Sequence, residues 1–325
     1  MTKGVEPVVI RAVHPPGRVL CVGAAVLDTL FRVHEMPRGE GKVLPYAMEQ
    51  IAEGMAASAA YAVVCMGGRA SLWGAVGNDE TGYRIVRELA ESGIDTDGMT
   101  IVDGARSALS TILVDAAGER LIVPFYDQKL HATKRSCTAE DLAAFDAVLV
   151  DVRWPAMALD VLTVARHLGK PAILDGDVAP VETLEKLAPA ATHIVFSEPA
   201  ARSLTGAEDV AAMVSLLHAR YPQTFIAVTA GPAGCYWAEP GVSGIAFEPA
   251  LPITAVDTLA AGDIFHGTFA LAIAEGMASR KAIRLSSAAA ALKCTVFGGR
   301  LGAPSRLETN ALLQAQERAE AGAQA

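Results

Sequence analysis

From Arg18 onward the chain alternates short, unbroken apolar runs with longer segments whose apolar residues recur at helical spacing. Val19-Leu20-Cys21-Val22, closed by Gly23, is apolar at every position, as a strand covered on both faces must be. Continuity is then lost. Between Phe31 and Gln50 the residues are polar or turn-forming, with Pro37, Gly39, Gly41 and Pro45 among short alternating pieces, which predicts strands that leave the main body and return near Glu53. The Ala-rich stretch from Gly54 to Val64 predicts a helix, Ala70 to Gly77 a strand, and Asn78-Asp79-Glu80 the start of a helix through Leu89. Segments 110–115 and 120–123 flank Ala116-Ala117-Gly118-Glu119 and predict a hairpin. With the earlier excursion it makes a small sheet over a substrate, a lid drawn from about 31–50 and 106–126.

Beyond Thr138 the order is regular. Strands at 147–150, 172–174, 193–196 and 225–228 alternate with helices at 156–168, 181–187, 200–204 and 210–221, which means a parallel sheet between helices. The expected fold class is α/β, with a mostly parallel central sheet flanked by helices and a small β-sheet lid. Residues 1–17, with Pro7, Pro15 and Pro16, are expected as a loose extension. Residues 18–307 form the single large domain, and 308–325 a C-terminal amphipathic helix and tail.

Composition narrows the functions. The hydrophobic fraction is 52%, yet no stretch approaches the roughly 18 uninterrupted apolar residues of a membrane helix. The N-terminus shows no charged-then-apolar leader, so a soluble, cytoplasmic protein is expected. A net charge of −9 leaves no basic footprint for nucleic acid or anionic membranes. Five scattered cysteines without a C-x-x-C pair read as small buried hydrophobes. Against this charge an anionic ligand needs Mg²⁺ and a few well-placed Lys or Arg residues.

Chemistry concentrates in Asp257-Thr258-Leu259-Ala260-Ala261-Gly262-Asp263-Ile264-Phe265-His266-Gly267. Phe265, Phe269 and Ile273, with Ile264, Thr268 and Leu271 between, are apolar nearly all round, so the helix they form should be buried and its N-terminus fixed. The amides of Ala261, Gly262 and Asp263 and the helix dipole would favour a phosphoryl group there. The Asp263 carboxylate could accept a hydroxyl proton. Asp28, five residues after the first strand, lies at the carboxyl-end rim where such sheets bind ligands, or serves as a turn residue. There is no G-x-x-x-x-G-K-[ST], which excludes a P-loop kinase. The run Gly23-Ala24-Ala25-Val26-Leu27-Asp28 lacks the glycines of a dinucleotide fold.

The 257–267 segment resembles the second signature of the ribokinase-like (PfkB) carbohydrate kinases, D-T-x-x-A-G-D-x-F-x-G, with every fixed position present. The resemblance spans Arg18 to Ser305 and implies an ATP-dependent sugar kinase. It makes Asp263 the catalytic base and the backbone of Ala260, Ala261, Gly262 and Asp263 an anion hole. It also sets Asp257, with Ser305 in the late Gly298–Ser305 segment, at a monovalent-cation (K⁺) site. Thr229-Ala230-Gly231-Pro232-Ala233-Gly234 resembles the family's T-x-G-x-x-G loop, in which Thr229, Gly231 and Gly234 contact ATP. The family's N-x-x-E motif for Mg²⁺ is here Ser197-Glu198-Pro199-Ala200. Glu198 and Asp177 are therefore expected to orient metal-bound water, with Ser197 toward the nucleotide.

Asp151-Val152-Arg153-Trp154, Leu174-Asp175-Gly176-Asp177 and Phe196-Ser197-Glu198-Pro199 look like the sulfofructose kinase subgroup, where a lid Lys and the Arg of D-V-R-W hold a sulfonate. Lys42 and Arg153 match them. A planar fork with a point charge suits a tetrahedral anion, though the residues alone equally allow a solvated Lys42 and an Arg153 paired with Asp151 or Asp177. Glu53-Gly54 and Ser58 stand where the first signature has Gly-Gly and Asn, and Pro124 where the subgroup has Asn. Unless Lys42 or Arg153 offsets it, Glu53 would repel an anionic sugar by about 1–4 kcal/mol. The expected protein is a kinase in which Asp28, Glu53, Gly54 and Ser58 line the sugar and the lid pairs two copies into a homodimer. Its expected substrate is 6-deoxy-6-sulfofructose, followed by fructose 6-phosphate and neutral sugars. A non-catalytic sensor of the same fold is the alternative.

Overall fold

In the computed structural model, which describes residues 16–116, 118–132 and 135–323, the first apolar run is strand β1 (Arg18–Val22). There follow β2 (Val26–Arg32), β3 (Ala47–Glu53), α1 (Met55–Cys65), β4 (Arg69–Trp73), β5 (Ala75–Gly77) and α2 (Glu80–Glu91). Next come β6 (Thr100–Val102), β7 (Leu109–Val114), β8 (Arg120–Phe125), α3 (Gln128–Ala132), α4 (Ala139–Leu142) and β9 (Ala147–Val150). The alternating half runs α5 (Pro155–His167), β10 (Ala172–Gly176), α6 (Val181–Leu187), β11 (His193–Ser197), α7 (Glu198–Thr205), α8 (Val210–Arg220) and β12 (Phe225–Thr229). It ends with β13 (Cys235–Ala238), β14 (Ala246–Glu248), α9 (Ala261–Ala274), α10 (Ser279–Cys294) and α11 (Arg306–Ala323).

Eight strands form the central sheet in the order β14-β13-β12-β11-β10-β9-β1-β4. All neighbours from β12 to β4 are parallel, and the sequence pattern missed the antiparallel edge of β13 and β14. The continuous apolar character of β1 follows from two cores. Val19 and Cys21 join the core containing Phe265 and Phe269 of α9, while Leu20 and Val22 face the core under α5 and α8. Helix α9 lies close against α1: a Cβ on Gly267 would stand 2.1 Å from the Ala59 carbonyl oxygen. That contact, rather than a ligand, accounts for the last glycine of the motif.

The segments expected to form a lid make a separate four-stranded sheet ordered β3-β2-β7-β8. It begins earlier than the pattern predicts. Asp28 lies inside β2, opposite Ser110 of β7 and Ile51 of β3, so it is a strand residue and not part of a turn. Only residues 33–46 remain as loop. Pro124 sits on β8, the outer strand, where a missing N–H is tolerated. The predicted strand 70–77 breaks at Gly74, and β5 pairs with β6. Helix α11 starts at Arg306, two residues before the expected boundary. The expected extension 1–17 lies outside the described residues except for its last two positions. Among the described residues no helix is long and apolar enough to cross a membrane.

Candidate active site

The parallel strands end toward one rim of the sheet, and the N-terminus of α9 meets them there. Ala260, its N-cap, has φ 60° and is the one non-glycine residue among those described with positive φ. A left-handed alanine costs about 1–2 kcal/mol, strain of the kind that accumulates at functional turns. The Ala261 amide donates to the Thr258 carbonyl at 3.3 Å, which corrects the expectation of three free amides. Those of Gly262 and Asp263 have no backbone acceptor among the described residues. No atom lies within 4 Å of where a Cβ on Gly262 would stand, so a phosphoryl group has room to approach.

Asp263 is half-buried, and no hydrogen bond to its carboxylate occurs among the described residues. Its pKa is raised well above the ordinary carboxylate range, first by burial and then by Asp175, Glu53, Asp177 and Asp151. Asp151 is structural: Oδ2 accepts from the amides of Ala24 and Ala56 at 2.7 and 3.1 Å, and Oδ1 from that of Arg153 at 2.7 Å. Below Asp263, His266 Nδ1 is 2.7 Å from the Gly262 carbonyl, and its Nε2 is 3.1 Å from that of Val195 and 3.3 Å from Asp175 Oδ1. Burial lowers the His266 pKa and raises that of Asp175. Burial thus disfavours the charged form of both partners, and sequence reasoning assigned the pair no role.

Asp28 is buried with its pKa pushed up to about 7, by burial first and by Glu53 second, the Ser110 hydroxyl partly offsetting both. Glu53 is also buried, accepting from the Ser58 hydroxyl at 2.5 Å and the Arg300 amide at 2.7 Å. Two expectations are thereby corrected. Ser58 is fully buried and its hydroxyl is committed to Glu53, so it positions that carboxylate instead of touching sugar. The cations that offset Glu53 are Arg300 and Lys293, not Lys42 or Arg153. Burial still outweighs them and leaves the Glu53 pKa raised. Gly54 has φ 116°, and a Cβ there would meet the Ala24 carbonyl oxygen at 2.4 Å. It brings the start of α1 against the connection between β1 and β2.

Arg153 lines a small pocket with Gly23, Ala25, Tyr126 and His131. Its Nη2 is 3.6 Å from Asp177 Oδ2 and its Nη1 donates to the Val178 carbonyl at 3.2 Å. Lys42 is exposed and lines a different hollow made by residues 33–44. The structure does not bring the expected pair together, because the loop carrying Lys42 has no strand pairing to fix it. Tyr126 and His131, which follow the lid hairpin, were missed: lone aromatic residues after a strand carry no motif.

At the nucleotide end, Thr229 closes β12, and its hydroxyl donates to the Phe196 carbonyl at 3.3 Å. Gly231 and Gly234 have φ 50° and 98° in the turn into β13. The Ser197 hydroxyl donates to Asp177 at 2.9 Å, and Glu198 pairs with Arg202 on its own helix at 2.6 Å. No cluster of three or more His, Cys, Asp or Glu residues able to hold a metal occurs among the described residues. The two residues expected at a K⁺ site do not fit one. The Ser305 hydroxyl and amide both donate to Glu308, and the Ser305 carbonyl accepts from Thr309, so Ser305 caps α11. The Asp257 carboxylate is taken by the Lys293 ammonium at 2.9 Å.

This architecture has counterparts. The model of the pfkB family carbohydrate kinases matches residues 17–306. Ribokinase from Bacillus subtilis is 28% identical over 301 residues, covering 91% of this chain and 99% of its own length. A fructokinase from Klebsiella pneumoniae is 27% identical over 271 residues, covering 77% and 82%. A crystal structure from Agrobacterium tumefaciens, provisionally named a ribokinase, is 74% identical with a TM-score of 0.92, covering 93% of this chain and 99% of that one. Ribokinase from Arabidopsis thaliana, complexed with ribose and ATP, shares the fold at TM-score 0.78 and 22% identity, covering 92% and 99%. The chain belongs to the PfkB family of carbohydrate kinases. It is an ATP-dependent kinase of the ribokinase and fructokinase type.

Proposed function

We propose that the protein transfers the γ-phosphoryl group of Mg·ATP to a hydroxyl of an anionic ketohexose derivative, 6-deoxy-6-sulfofructose above all. The catalytic part rests on Asp263, an uncommitted carboxylate beside the open amides of Gly262 and Asp263. Bound Mg·ATP supplies the phosphoryl group and neutralises its charge. The turn Thr229–Gly234 would hold the nucleotide, with Ser197 and Asp177 ordering water around the metal. Few direct protein ligands suit Mg²⁺, which keeps several waters and leans on phosphates. Asp28 accepts sugar hydroxyls from the lid side, Asp263 takes the proton of the attacking hydroxyl, and the α9 amides face the transferring group.

Arg153 carries the choice of an anionic sugar. It lines a pocket at the end of β1, and its 3.6 Å spacing from Asp177 is long for a charge-assisted bond, leaving donors for a ligand. A neutral sugar is the second reading, favoured by the exposed Lys42 and by relatives named ribokinase and fructokinase.

ADP release should be measured with 6-deoxy-6-sulfofructose, fructose 6-phosphate, fructose and ribose. Turnover is expected to be strongest on the sulfonate, and Arg153→Ala should raise its KM about 10- to 100-fold, as for loss of a charged hydrogen bond, with neutral sugars little affected. Preference for a neutral sugar would remove the anionic reading and leave the kinase intact.

The same reading makes the protein a homodimer through the lid, since Leu121, Ile122, Val123 and Phe125 of β8 are all exposed. Light scattering at micromolar concentration should return twice the chain mass, and a monomer would refute the pairing.

A further inference from the structure

Lys293, near the end of α10, is completely buried. Its ammonium donates to the Asp257 carbonyl at 2.8 Å, to Asp257 Oδ2 at 2.9 Å and to the Val296 carbonyl at 3.4 Å. An ammonium has three N–H donors, and each has an acceptor. The surroundings are knotted to the phosphoryl-transfer turn. Asp257 Oδ1 accepts from the Leu259 amide at 2.8 Å, and Oδ2 from the amides of Gly298 and Gly299 at 3.1 Å each. The amides of Val256 and Asp257 both donate to the Cys294 carbonyl. Ala260 and the α9 N-terminus follow directly.

A carboxylate and backbone carbonyls converging on one buried point make the oxygen shell that a monovalent cation such as K⁺ takes in place of water. Here that point holds a covalently tethered cation. A second, mobile cation would have to sit in contact with the ammonium, and two like charges at such range repel strongly away from water. We propose that Lys293 replaces the monovalent cation, so that the anion-hole turn is held by an internal ammonium and the enzyme does not depend on K⁺ or Na⁺. The proposal rests on residues 257–263 being the phosphoryl-transfer turn, but not on which sugar is phosphorylated.

The primary measurement is the melting temperature of the full chain in KCl, NaCl and tetramethylammonium chloride at equal ionic strength, which needs no substrate. Equal values are expected, and a K⁺-specific rise in the wild type would overturn the proposal. Lys293→Ala, which leaves a buried carboxylate unpaired, should melt about 10 °C lower in tetramethylammonium. K⁺ should recover part of that loss together with ADP formation. A folded Lys293→Ala protein that responds equally to all three salts would show that the shell is no cation site and would also overturn the idea. Should Lys293→Ala fail to fold in every salt, the wild-type series decides alone. Loss of activity on every sugar, with these melting shifts as expected, would count against the kinase reading and not against Lys293.

Discussion

Replacing Asp263 by Ala is expected to lower kcat by about 10²- to 10⁴-fold, the usual contribution of a positioned general base, with little change in affinity for ATP. Steady-state kinetics with the best sugar and nucleotide binding by calorimetry check the two parts, and near-normal turnover would eliminate Asp263 as the base. The electrostatics add a second signature. Burial and the acids Asp175, Glu53, Asp177 and Asp151 raise the Asp263 pKa, and a base must be ionised to act. The acid limb of kcat/KM should therefore lie above the ordinary carboxylate range of about 4. The stability sign runs the other way. A carboxyl whose folded pKa is raised stabilises the fold in its protonated state, and that contribution is lost as pH rises through the folded value. Asp263→Asn should accordingly melt higher than the wild type at neutral pH while being nearly inactive, a trade of stability for function.

Asp28 is expected to give the second large effect, on binding. As a carboxylate pushed up to about 7, it is partly protonated at neutral pH and accepts sugar hydroxyls best when ionised. KM for the sugar should fall as pH rises through about 7. Asp28→Asn should raise KM about 10- to 100-fold, the worth of hydrogen bonds to a charged group, and abolish that pH dependence. Because kcat/KM also carries the Asp263 limb, the readout is the difference between the wild-type and Asp28→Asn KM profiles. An unchanged profile in the variant would mean that Asp28 does not hold the sugar. The same shift makes Asp28 a source of stability in acid, fully present below about 4 and lost as pH rises through about 7.

Much of this was legible in the residue order. The unbroken apolar strands announced a parallel sheet, because burial on both faces leaves no polar alternation. The motif ending in Gly267 located the N-terminus of α9. The misreadings share one cause. Asp28, a polar residue after an apolar run, leaves a sugar contact and a turn both open, and only the pairing of β2 with β3 and β7 places it inside a strand. Ser58 and Ser305 read as ligands by position alone, and each hydroxyl is in fact satisfied by a carboxylate, from Glu53 in one case and Glu308 in the other. The partner of a short polar side chain cannot be seen along the chain when it sits on another element or is one of several nearby acids.

What the sequence determined by itself was local and periodic: the alternation of strands and helices, the buried helix α9 and the acid at its mouth. These follow from spacing and side-chain size, which neighbours in sequence control. Only the tertiary structure decided which charges meet. Glu53 lies 247 positions from the Arg300 amide that it accepts, and Asp257 lies 36 from the Lys293 ammonium buried against it. The chain's fold, by desolvating these groups together, turns an ordinary carboxylate into a raised one or a paired one. Burial and partner choice are properties of packing, and no local pattern encodes them.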